Sequence, residues 1–132
     1  MRSRDTLIRL QQFKVDERQR DVADIEMMIA DFMQKESELQ QQIEAEEERA
    51  GVSDVSHFNY PTTAKAISDR RDNLLRSVDE LKSKLDEAKE ALEEECAEMR
   101  KLELLVEKDD DLKTASKNDG AEVAADPVAV NH

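Results

Sequence analysis

The chain is poor in the residues that interrupt helices. Its 132 residues include only two Gly and two Pro. Gly51 and Pro61 bracket one short stretch in the middle, while Gly120 and Pro127 fall near the end. The strong punctuators are therefore missing from all of 1–50 and 62–118. Trp is absent and aromatics make up 3% of residues, against 40% charged, which argues against a compact globular core. Such a composition belongs to a long helix or coiled coil and overlaps with disorder, so the apolar pattern has to decide. The lone Cys96 excludes a disulfide framework within the chain and points to a reducing compartment. The first residues carry charge but no apolar stretch follows, so neither a secretory signal nor a bilayer-spanning run is expected. That favours a cytoplasmic location.

The catalytic repertoire is equally thin. The sequence has no glycine-rich phosphate loop, no paired Cys/His metal spacing and no nucleophile elbow. His57 and His132 fall in the expected loop and tail, and the many carboxylates fall on solvated helix faces. Cys96 stands among Glu93, Glu94, Glu95 and Glu98, whose charge disfavours a thiolate. Asp109 and Asp111 open like a calcium loop. Lys113 then occupies a ligand position, Ala115 stands where the turn needs glycine, and no Glu closes the motif. No enzyme activity, cofactor, metal site or small-molecule substrate is expected.

What the sequence does have is period. In the first segment Ile8, Val15, Val22, Ile29, Glu36 and Ile43 recur every seven residues. Gln11, Arg18, Ile25, Phe32, Leu39 and Glu46 form the second core series. In the second segment the series are Ala64, Arg71, Val78, Leu85, Leu92, Met99, Val106 and Ile67, Leu74, Leu81, Ala88, Glu95, Leu102. This strict heptad spacing predicts left-handed coiled-coil packing against a partner helix. No heptad is read past Val106. The polar interruptions Gln11, Arg18, Glu36 and Glu46 either fix register and partner choice or reach out to water. Glu80 and Lys84 stand in the favourable order on the outer face.

Two segments of about 50 residues, each about 70 Å long as a helix, joined by a short break, predict an antiparallel helical hairpin. The fold class expected is all-α: a long antiparallel two-helix coiled coil over residues 1–112, with helices at about 3–50 and 62–112 and a turn at 51–61. A disordered acidic tail is expected over 113–132. Gly51 suits the position after a helix end, Ser53, Asp54, Ser56 and Asn59 suit a turn, and Pro61 suits a helix start. Phe58 and Tyr60 are expected to plug the open end of the hairpin.

Charge agrees with that topology. Residues 1–20 hold six basic and three acidic side chains, a net +3, whereas 86–98 hold seven acids against Lys89, a net −6. Antiparallel folding brings Arg9 to Arg20 beside Glu93, Glu94, Glu95, Glu98 and Glu103, and Glu46–Glu48 beside Arg70 and Arg71. The overall charge of −13 argues against nucleic acid as a partner. Leu7, Leu10 and Phe13 lie off the core stripe, as do Met27, Met28 and Met33. They either widen the core or offer an exposed contact to a partner.

One family shares these features. The opening Ser3-Arg4-Asp5-Thr6-Leu7-Ile8-Arg9-Leu10, with Phe13, Val15-Asp16-Glu17-Arg18 and Ala23-Asp24-Ile25-Glu26, resembles the flagellar export protein FliJ of alphaproteobacteria. So do the loop from Gly51-Val52-Ser53-Asp54 to Tyr60-Pro61, the run Arg70-Arg71-Asp72-Asn73-Leu74, and Asp86 to Leu92. The resemblance extends over about residues 3–108. It implies an antiparallel two-helix coiled coil, similar to the stalk of a rotary ATPase gamma subunit, in the flagellar type III export apparatus. The implied partners are the hexameric export ATPase, the membrane export-gate protein and export chaperones. The implied place is the cytoplasmic face of the inner membrane at the flagellar base. On this reading Arg2, Arg4, Leu7, Arg9, Leu10 and Phe13 would meet the ATPase ring. The competing expectation is a structural, self-associating coiled-coil scaffold.

Overall fold

The computed structural model describes residues 3–115 with their side chains. It is all-α: α1 spans Arg2–Ala50 and α2 spans Thr62–Val130. Among the described residues there is no strand. α2 therefore continues beyond the expected end near 112. The side chains of 116–132, where the rest of the disordered tail was expected, lie outside the described residues.

The helices pack as two units. The first comprises the beginning of α1 up to Glu17 and α2 from Leu92 onward; the second is Arg18–Ala91. In each unit the pairing is antiparallel. In the first, Arg4 reaches Leu105 and Gln11 reaches Glu95. In the second, Gln40 meets Arg71 and Glu47 meets Tyr60.

The core follows the heptads. In the first unit Gln11, Val15 and Met99 are buried, and Ile8, Leu92, Glu95, Leu102 and Val106 are half-buried. In the second, Ile43, Ala64, Val78 and Leu81 are buried, with Ile25, Ile29, Phe32, Leu39, Ile67, Leu74, Leu85 and Ala88 half-buried around them. Half-burial is what two helices can offer: each core side chain has a partner on one side and water on the others. Arg18 departs from the pattern. It occupies a core heptad position yet is exposed, as a long charged stem allows.

The heptad also runs further than expected. Arg4 stands seven residues before Gln11, and Asp109 seven after Leu102. Both are half-buried and form an ion pair across the first unit. The stripe therefore continues past Val106 as a polar layer, invisible to a search for apolar residues.

The turn closes by backbone geometry. Gly51 has φ +70. The N–H groups of Gly51 and Val52 donate to the carbonyls of Glu48 and Glu47, both at 3.2 Å. This is a Schellman cap, which uses glycine at the left-handed position to satisfy the last carbonyls of a helix. Ser56 donates its N–H and its hydroxyl to Asp54 Oδ1 at 3.0 and 2.7 Å. These bonds hold the Asp54 carboxyl below its ordinary value of 3.8. Pro61 precedes α2, and its carbonyl accepts the first helical bond, from Lys65 N–H at 3.2 Å.

Candidate interaction surfaces

Apart from Leu75 on α2, the exposed large apolar side chains among the described residues fall in three places. The first is the start of α1, where the residues expected to meet a partner lie. Leu10 is 51% exposed and Phe13 59%, and Arg9 beside them is exposed. Core-widening is therefore not what these residues do; they stand on the outer face. Leu7, 48% exposed, lies differently. It lines a groove of about 200 Å³ with Arg4, Leu102, Leu105 and Val106 along one edge of the first unit.

Arg4 is drawn into the fold. Its guanidinium donates to the Leu105 carbonyl at 3.1 Å and pairs with Asp109. It is accordingly a structural link between α1 and α2 before it is anything else. The side chain of Arg2 lies outside the described residues. α2 contributes Leu104, Leu105 and Leu112 to the exposed apolar surface of the same unit. The sequence reading missed these three, although Leu105 sits next to the core residue Val106 just as Leu7 sits next to Ile8.

The second place is the turn. Tyr60 is buried and its hydroxyl donates to Glu47 Oε2 at 2.9 Å. Burial, then the bond to the Glu47 carboxylate and its charge, raise the Tyr60 pKa above 10.0. Phe58 is 88% exposed. The expected plug is thus Tyr60 alone, and Phe58 corrects the expectation for the pair. Its ring stacks on His57 at 4.7 Å between centroids. His57 is fixed in turn, with Nδ1 accepting the Asn59 N–H at 3.0 Å. The backbone turns tightly here, with the Tyr60 N–H bonded to the His57 carbonyl at 3.0 Å, and this path sends Tyr60 inward and leaves Phe58 outside.

The third place is the middle of α1, where Met27, Met28 and Met33 are exposed. Nearby in the second unit, Phe32, Leu39 and Leu74 floor a groove of about 530 Å³ rimmed by Lys35, Arg70 and Glu38.

The electrostatic expectations are met in a different form. Arg71 was expected beside Glu46–Glu48. Its guanidinium instead donates to Gln40 Oε1 at 2.6 Å and to Ser68 Oγ at 3.1 Å, and pairs with Asp72 at 3.1 Å. A cation at a core position bonds to whatever emerges at its own level, and that is Gln40. Glu46 pairs within its own helix, with Arg49 at 3.2 Å. Arg18 and Arg100 likewise pair within their helices, with Asp21 and Glu93. Such exposed pairs contribute about 0–1 kcal/mol.

Among the described residues no group of three or more His, Cys, Asp or Glu side chains could hold a metal ion. Cys96 is half-buried with a free thiol. No helix of the described residues is long and apolar enough to cross a membrane. The described residues form two long helices packed antiparallel, with exposed apolar side chains on their outer faces and in the turn. No protein-family model, curated protein or solved structure matches the chain.

Proposed function

We propose that this protein is a coiled-coil component of the flagellar type III export apparatus, of the FliJ kind, that works by binding rather than catalysis. The reading rests on the sequence resemblance, and one structural observation supports it above others. Leu10 and Phe13, two large apolar side chains within the resembling segment, stand more than half exposed on the outer face of α1, beside exposed Arg9. Exposed aromatic and aliphatic side chains next to a cation are the anchors a protein partner buries. The partner in this reading is the ring of the export ATPase, with the export gate and export chaperones as further partners, at the cytoplasmic face of the inner membrane. Leu7, Arg9, Leu10 and Phe13 make the contact, and Arg4 holds α1 to α2 beneath them.

The test is co-purification of the full chain with the flagellar export ATPase, with ATP turnover read in parallel. Binding with stimulated turnover is expected, and Leu10→Ala with Phe13→Ala should abolish both while far-UV circular dichroism stays unchanged. If a folded, helical chain neither binds the ATPase nor alters its turnover, the reading is wrong.

A further inference from the structure

The edge of the first unit that carries Leu7 is self-complementary. Leu7 and Leu105 line one groove, with Leu102 and Val106 beneath them. Each is about half exposed, at 48% and 47%. On α1 the next residue along this edge, one heptad on, is Lys14; on α2, one heptad back, it is Glu98. Both are exposed. Among the described residues, Glu98 pairs with Lys101 on its own helix at the limiting distance of 4.0 Å. The edge therefore reads leucine then lysine on one helix, and leucine then glutamate on the other.

We infer that this edge joins two copies of the chain in a closed dimer about a two-fold axis parallel to the helices. Such an axis sets α1 of one copy against α2 of the other. Leu7 then meets Leu105 of the second copy, Lys14 meets its Glu98, and each contact occurs twice. A two-fold contact of this kind closes on itself and adds no open end. Every helix in the resulting four-helix bundle has antiparallel neighbours, the usual arrangement of such bundles. The driving force is the thin core: two helices leave Leu102 and Val106 half-covered, and a second copy covers them. Charge selects the second copy over other occupants. A copy related by an axis perpendicular to the helices would place Lys14 and Glu98 away from each other's level. The parallel axis alone matches apolar to apolar and cation to anion at both steps. Leu10 and Phe13 are not part of this groove, so the dimer shares only Leu7 with the surface proposed above for the ATPase, and Phe13→Ala separates the two.

Sedimentation equilibrium of the full chain over a wide concentration range tests this. The chain should dimerise reversibly. Leu105→Glu should be monomeric with unchanged helicity, whereas Phe13→Ala should dimerise like the parent. Lys14→Glu and Glu98→Lys, each alone, should weaken dimerisation about tenfold, since two surface pairs are lost and two repulsions gained. An equimolar mixture of those two variants should recover the parental affinity as a heterodimer. Only contacts between chains can do so, because each variant still carries its own like-charge clash. A chain that stays monomeric throughout, a Leu105→Glu variant that dimerises normally, or a mixture that shows no recovery would overturn the inference.

Discussion

Gln11 donates its side-chain amide to Glu95 twice, to the backbone carbonyl at 2.9 Å and to Oε1 at 3.2 Å. Both residues hold core heptad positions, and Gln11 is only 5% exposed. A polar layer of this kind sacrifices apolar burial and gains register, because a shifted pairing would leave the amide without a partner. Replacing both by leucine should raise unfolding free energy by about 1–3 kcal/mol, the range seen when buried polar layers become apolar. Denaturant melts would show the midpoint rising. Gln11→Leu alone should gain less, because Glu95 then faces an apolar neighbour.

That layer also marks the boundary of what the sequence displayed. Helices and core stripe were legible because heptad spacing is a one-dimensional property, and Val15, Ile43, Val78 and Met99 all fall buried on it. Polar members of the same stripe were harder to interpret. Gln11 is buried, Arg18 is exposed, and the Arg4–Asp109 pair prolongs the stripe beyond its last apolar residue. Which outcome applies depends on the partner at the same level across the hairpin, and spacing within one helix does not contain that. Phe58 was expected inside with Tyr60 for a related reason: composition says that a loop holds two aromatics, but only the backbone path says which one turns inward.

Gly51 should resist replacement despite the open space around it. A Cβ there would meet no heavy atom within 4 Å, so sterics with neighbours are not at issue. The cost lies in φ +70, which L-residues reach only with strain. Gly51→Ala should destabilise by about 1–2 kcal/mol, the penalty for a non-glycine residue in the left-handed region. Chemical denaturation would read it. No loss of stability would mean that the helix end rearranges to another cap.

Burial separates structural from surface leucine-sized residues sharply enough to test. Val78 is 2% exposed in the second unit. Val78→Ala should cost about 1–3 kcal/mol, since removed methyl groups lose their transfer energy and leave a cavity. Leu10→Ala should stay within about 0.5 kcal/mol of the parent, as for surface substitutions away from special features. Thermal melts followed by circular dichroism compare the two directly. A large loss at Leu10 would show that it belongs to the core and would remove it from the contact surface.

Tyr60 gives a pH readout with no background, because the chain has one Tyr and no Trp. Its hydroxyl is buried and bonded to the Glu47 carboxylate, and both effects oppose a second negative charge at that point. The folded pKa therefore lies above the ordinary 10.0. A group with a raised folded pKa contributes stability that is complete below its unfolded value and lost as pH climbs through the folded one. Tyrosinate absorbance should thus remain low at pH 10 in the folded chain, and the turn should loosen only at higher pH. In denaturant the same tyrosine should ionise near 10. Glu47→Gln should bring the folded value down without restoring it fully, because burial is the larger cause. If folded Tyr60 titrates at or below 10, the tyrosine does not plug the turn as described.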